Sequence, residues 1–228
     1  MENLPRLEPL VDGVWTVDGP LQIAGMPIGH RMTVIRLATG GLWLHSPLPH
    51  TPELTALLEP LGPIEHWVVP SRTHDLYVDG WFERCPNAAS WGAPKLRKPH
   101  PDWAFTGWLG ADLDAPWRDE IDLLEIEGAP RVGEWMFLHR PTHTAITADV
   151  LFNLGTGAKG WGKLMQKVAG TYGNAGVSRL LRLATKDRER FNASIRRVLE
   201  WDFDKLVVGH GAPLTEDPKG KLRAAFGL

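Results

Sequence analysis

Apolar and polar residues nearly alternate over 11–18 (V-D-G-V-W-T-V-D) and 31–37 (R-M-T-V-I-R-L), the two-residue period of half-buried strands. Gly40-Gly41 then makes a natural hairpin turn into the run Leu42 to Leu44, so the pattern predicts an N-terminal antiparallel sheet. Thr51-Pro52-Glu53 opens a helix, because Thr caps free amides and Pro suits the first helical position; it ends near Leu61-Gly62-Pro63. A buried strand at 64–69 (I-E-H-W-V-V) runs into the polar turn P-S-R-T-H-D, followed by a helix at 76–84 and a short strand at 88–91. Residues 95–118, rich in Pro, Trp and Gly, have no period and form a long excursion, a candidate cover for a cleft. Strands return at 121–127, 134–139 and 145–152. The last third predicts helices at 161–173, 175–185 and 187–200, the last capped by Asp187, and a strand at 205–208 leading into G-H-G-A-P. Two groups of strands, each followed by helices, predict an α/β fold of two mixed sheets with outer helices, in one domain over 1–228.

Composition narrows the function classes. A hydrophobic fraction of 43% with 23% charged residues is that of a globular chain, and a net charge of -2 gives no basic field for nucleic acid or an anionic membrane. The expected partner is a small molecule. One cysteine, Cys85, excludes an internal disulfide and a cysteine-based zinc knuckle, which fits a reducing cytoplasm; no apolar run suits a signal peptide or a bilayer span. Eleven Trp against two Tyr supply large apolar area; Trp103, Trp108 and Trp117 either line a pocket or pack the excursion onto a sheet.

Three His-bearing clusters each follow a predicted strand: His74-Asp75, His139 to His143, and His210. Adjacent strand ends share one sheet edge, so these turns can converge, and imidazole with carboxylate suits zinc, iron or manganese. The plain alternative for each is a His that hydrogen-bonds a loop carbonyl. His139 and His143 are four apart, but Pro141 between them argues for a turn rather than one helix face. Residues 155–160 (G-T-G-A-K-G) satisfy G-x-G-x-x-G, yet no acidic residue follows before Asp187, and Leu164 stands where a phosphate loop needs Ser or Thr; a glycine-rich rim is the simpler reading.

The segment H-R-P-T-H-T-A at 139–145 resembles the H-T-P-G-H-T-x-G turn of the metallo-β-lactamase superfamily, V-V-G-H-G-A-P at 207–213 resembles its late G-H-G turn, and T-A-D-V-L-F its G-D-x-L-F segment. G-V-W-T-V at 13–17 and L-W-L-H-S at 42–46 are similar to its opening hairpin, so the resemblance spans nearly the whole chain and implies a four-layer αββα sandwich. It also implies metal roles for His143, Asp149 and His210, with His139 in support. The main signature, H-x-H-x-D-H, reads here Pro70-Ser71-Arg72-Thr73-His74-Asp75: two ligands are replaced by Pro70 and Arg72, and the Asp-His pair is exchanged. His45 stands where the family's opening strand ends in Asp. The pattern resembles an uncharacterised branch described only as a domain of unknown function.

Two functions follow from that resemblance. One is a metal-dependent hydrolase of an ester, thioester, lactone or phosphoester. A single divalent ion, zinc before iron or manganese, would be held by some of His74, Asp75, His143, Asp149 and His210. Arg72 would bind a substrate anion, and Asp149 or Asp75 would act as base where it is not a ligand. The other is a relative without metal or catalysis that binds a small ligand or partner in the old cleft. Redox chemistry at a diiron centre ranks third, because two ligands are missing.

Overall fold

Gly13 takes a φ of 78°, and Val11 pairs with Val14 across it, so the predicted strand 11–18 is split by a tight turn into β1 (Arg6–Val11) and β2 (Val14–Gly19). The computed structural model describes residues 5–173 and 175–228. A small hairpin, β3 (Gln22–Ile23) and β4 (Met26–Pro27), leads to β5 (His30–Arg36), which pairs antiparallel with β2 and with β6 (Leu42–His45). The chain then crosses through α1 (Pro52–Leu58) to β7 (Ile64–Val69), and through α2 (Asp79–Arg84) to β8 (Ala89–Gly92), both parallel additions. The Thr51 hydroxyl caps α1 by accepting the Leu54 amide at 3.2 Å, as expected from Thr-Pro. The 95–118 excursion contributes β9 (Gly107–Trp108), which completes a seven-stranded sheet in the order β1-β2-β5-β6-β7-β8-β9.

The second sheet is β10 (Ile121–Glu125), β11 (Trp135–His139) and β12 (Thr144–Ile146), antiparallel, with β14 (Lys205–Val207) joining β12 in parallel. The predicted strand 145–152 is interrupted: β12 ends at Ile146, and β13 (Phe152–Asn153) instead pairs in parallel with β15 (His210–Gly211). Between these segments run α3 (Gly160–Ala169), α4 (Arg179–Ala184) and α5 (Arg188–Glu200). Gly170 stops α3 in a left-handed cap (φ 76°), Ser178 starts α4, and the Asp187 carboxylate accepts the Arg190 amide at 3.0 Å to start α5. A closing helix, α6 (Pro218–Phe226), was not anticipated, although Asp217-Pro218 is the same cap signal as Thr51-Pro52.

Between the sheets, Trp43 meets Phe137 (5.3 Å between rings) and Trp117 (5.9 Å), with Ile146 and Val207 in the same core. Leu54, Leu58 and Trp81 bring α1 and α2 into the first sheet's core, whereas Phe191, Ile195 and Val198 of α5 pack with Met136, Leu138 and Leu206 of the second sheet. The layers are therefore helix, sheet, sheet, helix. The excursion packs down through Trp117, which is fully buried, while Trp103 stacks on His100 at 3.7 Å and Trp108 lies beneath Arg97. Among the described residues no helix is long and apolar enough to cross a membrane.

Candidate metal centre

Three strand ends meet at one point. After β7 the turn Pro70–Thr73 is pinned to the loop before β11 by two backbone bonds, Arg72 amide to Val132 carbonyl (3.0 Å) and Trp135 amide to Pro70 carbonyl (2.9 Å), and it delivers His74 inward, 2% exposed. After β12 the turn Thr147–Asp149 is gripped by the buried Glu134. One Glu134 oxygen accepts the Thr147 hydroxyl (2.5 Å) and the Ala148 amide (2.8 Å); the other accepts the Asp149 amide (2.8 Å). After β14, Gly209 lets the chain pass within van der Waals reach of the first two turns. A Cβ there would lie 2.6 Å from the Ala148 carbonyl oxygen and 2.8 Å from His74 Cε1, so only glycine fits. His210 follows, its ring stacked on Phe152 at 4.8 Å.

The functional atoms converge. His74 Nε2 is 3.3 Å from His210 Nε2 and 3.6 Å from Asp149 Oδ2, and His210 Nε2 is 3.1 Å from Asp149 Oδ1. Bonds of about 2.0–2.1 Å to a tetrahedral zinc ion set its donors roughly 3.3–3.4 Å apart, the separation of the two imidazole nitrogens here; the carboxylate meets them through different oxygens, and one donor atom from each of the three residues lies within 4.8 Å of the others. The tautomers fit as well. The Gly29 carbonyl can only accept, so His210 Nδ1, 2.6 Å away, carries a proton, and an ion that displaced the Nε2 proton facing Asp149 would meet the Nε2 lone pair. His74 Nδ1 contacts the buried Ser46 hydroxyl; when Nδ1–H donates to Ser46 Oγ, Nε2 of His74 is likewise free.

Charge is balanced across these groups. Burial alone would raise the Asp149 carboxyl, but His74 and His210 outweigh it and hold Asp149 well below the usual carboxylate range. Burial lowers His210, yet the hydrogen bond and charge of Asp149 and the Gly29 carbonyl raise it overall. Burial, then the charge of Asp149, pushes Glu134 up to about 7 against the bonds it accepts.

Of the five metal ligands expected from the sequence, His74, Asp149 and His210 form this cluster. Asp75 turns away and pairs with His100 of the excursion at 3.0 Å. His143 lies elsewhere. β11 and β12 are antiparallel, and residues 140–142 form the tight turn between them; His143, left-handed at φ 52°, sits at that outer edge, half exposed, 3.1 Å from Asp202. Asp149 follows β12 at its opposite end, so the two cannot share a ligand set. His139 stays at the same outer edge, bonded to the Thr142 hydroxyl at 2.7 Å. Arg72 is exposed, and Thr73 rather than Arg72 bonds Asp149, its hydroxyl donating to Oδ2. His45 is buried against Trp43 and Phe137 and belongs to the core.

Sequence reasoning missed three residues of the site. His30 opens β5, its Nε2–H donating to the Ser46 carbonyl at 3.1 Å, with its ring 4.8 Å from that of His74. Burial, reinforced by His74, lowers its pKa to about 3, so it is neutral. Ser46, in the left-handed region at φ 57°, lies between His30 and His74, and Glu134 holds the Asp149 turn. The available signals were small: a Ser directly after an apolar strand, and an acid opening the strand E-W-M-F-L-H.

Solved structures share this architecture over nearly their whole length. VMB-1, determined at pH 5.5, matches with a TM-score of 0.70 at 12% identity, covering 99% of this chain and 98% of that one. The metallo-β-lactamase from Erythrobacter litoralis matches at 0.69 and 14%, covering 100% and 98%. FIM-1 from Pseudomonas aeruginosa, in its mono-zinc form, matches at 0.67 and 11%, covering 98% and 95%. The class is thereby defined: a metallo-β-lactamase fold, the αββα sandwich that the sequence resemblance implied. Within it, the profile described as Domain of unknown function (DUF4336) matches residues 11–159, and the chain belongs to that family. No curated protein matches the chain.

Proposed function

We propose that this protein is a metal-dependent hydrolase using one divalent ion, zinc before iron or manganese, held by His74, Asp149 and His210. The observation that carries this reading is the convergence of two imidazole nitrogens, 3.3 Å apart, on one buried carboxylate, with the back nitrogen of His210 already held on the Gly29 carbonyl. Three protein donors is the ligand count of catalytic rather than structural zinc sites, in which water or substrate takes the fourth position. When bound, the ion would acidify water and polarise the carbonyl or phosphoryl oxygen of an ester, thioester, lactone or phosphoester.

The chain's own groups do the rest. Thr73 donates to Asp149 Oδ2 and Glu134 holds the Asp149 backbone, which together orient the carboxylate. Arg72, exposed two residues from His74 and without an ion pair among the described residues, supplies a fixed cation at the rim for an anionic group on a small-molecule substrate.

Elemental analysis tests this directly. Protein loaded with zinc and desalted should hold about one equivalent. His74→Ala, Asp149→Ala and His210→Ala should each lose it, with hydrolysis of an ester and phosphoester panel, whereas His143→Ala should keep both. Folded protein that retains far less than one equivalent would instead support the ligand-binding relative without catalysis.

A further inference from the structure

The net charge of -2 hides a local imbalance. From Val150 to Lys186 the chain carries Lys159, Lys163, Lys167, Arg179, Arg182 and Lys186 and no Asp or Glu, leaving 19 basic residues against 27 acidic ones elsewhere. All six are exposed, and none makes an ion pair among the described residues. The same stretch holds most of the large apolar side chains that the protein exposes: Trp161 (61%), Leu164 (51%) and Val168 (49%) on α3, Leu180 (65%) and Leu183 (80%) on α4.

Helical geometry places the groups of α3 together, and Arg179, which opens α4, lies against Gly170 at the end of α3. At 100° per residue, Gly162, Gln166 and Ala169 of α3 point at the protein; Leu164 points straight out, with Trp161 and Val168 on one side of it and Lys163 and Lys167 on the other. The Trp161 indole donates to the Ala24 carbonyl at 3.2 Å, over the tip of the β3–β4 hairpin, where Ile23 is itself 49% exposed. The glycine-rich stretch 155–160 joins this surface to the β13 segment beside the metal centre.

We propose that α3, α4 and the tip of the β3–β4 hairpin dock this protein onto an anionic lipid bilayer. Trp and Leu enter the headgroup layer while the Lys and Arg around them meet lipid anions, the arrangement of interfacial helices. A protein partner fits less well, because the cores of such interfaces are depleted in Lys, and six cations without one acid ask for a uniformly negative surface. The absence of a basic field overall, which excluded membranes at the level of composition, does not bear on so local a charge.

Co-sedimentation with vesicles tests the proposal on the full chain. Vesicles of phosphatidylcholine with about 30% phosphatidylglycerol should bind at least tenfold more tightly than phosphatidylcholine alone, and about 0.5 M salt should abolish the difference. The triple variant K163E/K167E/R182E should lose this preference with little change in melting because its side chains are exposed, and W161A/L164A/L183A should weaken binding to vesicles while keeping a cooperative melt, lowered only by loss of the Trp161 bond to Ala24. Equal affinity for neutral and anionic vesicles, or variants that bind like the parent, would overturn it. So would preference for duplex DNA over vesicles, or concentration-dependent self-association that the apolar triple variant removes.

Discussion

Ser46 occupies a backbone conformation that costs a non-glycine residue energy, and it does so between two imidazoles. Its hydroxyl lies against His74 Nδ1 and, by accepting that N–H, would leave Nε2 to the ion, so Ser46→Ala should lower zinc affinity by about 10–100-fold while the three ligands remain. A competition titration against a chromogenic chelator measures it; an unchanged affinity would leave Ser46 a purely structural residue. Gly209 acts through space. Gly209→Ala would push a methyl into the Ala148 carbonyl and the His74 ring, so zinc loading and melting temperature should fall together, and loss of neither would contradict the close approach. Glu134→Gln keeps the shape but presents an N–H where the Asp149 or Ala148 amide needs an acceptor; denaturant unfolding should show a cost of about 1–3 kcal/mol. Gly209 and Ser46 lie in segments that resemble the superfamily, but nothing in those segments marks them out, and Glu134 lies in none. His30, Ser46 and Glu134 matter because separate strands bring them against His74 and Asp149, information that spacing along the chain does not contain.

Elements were legible where local chemistry sets them. The Thr51-Pro52 and Asp187 caps begin helices as expected, and the buried strand 64–69 forms over the predicted residues. Asp187→Ala should therefore cost about 1 kcal/mol, read as a shift in the denaturant midpoint. The turn between β11 and β12 shows the opposite case. Its H-R-P-T-H matched a metal-binding turn by residue type, but antiparallel strands put their connecting turn at one edge and their free ends at the other. Thr144–Ile146 is extended and holds His143 and Asp149 at its opposite ends, and a separation of six residues, up to roughly 20 Å when extended, was already readable. His143→Ala should accordingly change stability by no more than about 0.5 kcal/mol. The 95–118 excursion had no period to read because tertiary contacts set its course: Trp117 drops into the core between the sheets, and Gly107–Trp108 extends a sheet edge.

At the scale of the molecule, burial keeps several histidines neutral. Burial dominates the lowered pKa of His45, His66 and His139, the last despite Glu120 nearby. Each is deprotonated at neutral pH in both states; below its ordinary value of 6.5 the unfolded chain takes up protons that the folded one refuses, so stability falls as pH drops. Each contributes at most about 1.4 kcal/mol per pH unit, and urea midpoints should decline steeply from pH 6.5 to 5. A flat profile over that range would contradict the burial. The order of elements and the two-sheet architecture were visible in the pattern of strands and helices; of the three candidate turns only those of His74 and His210 meet, and Asp149, which only the resemblance had pointed to, takes the place of the His139–His143 turn, because convergence depends on how the sheets dock. That docking has a further consequence. His74 descends from the seven-stranded sheet, Asp149 and His210 from the four-stranded side, so an ion held by all three is a rivet through the seam between halves. At 100 times its dissociation constant, such a ligand adds about 2.7 kcal/mol to stability. Starved of metal, the molecule would loosen along that seam and show proteases its tryptophan-lined interior, and metal supply would then govern how long each copy survives as well as what it can do.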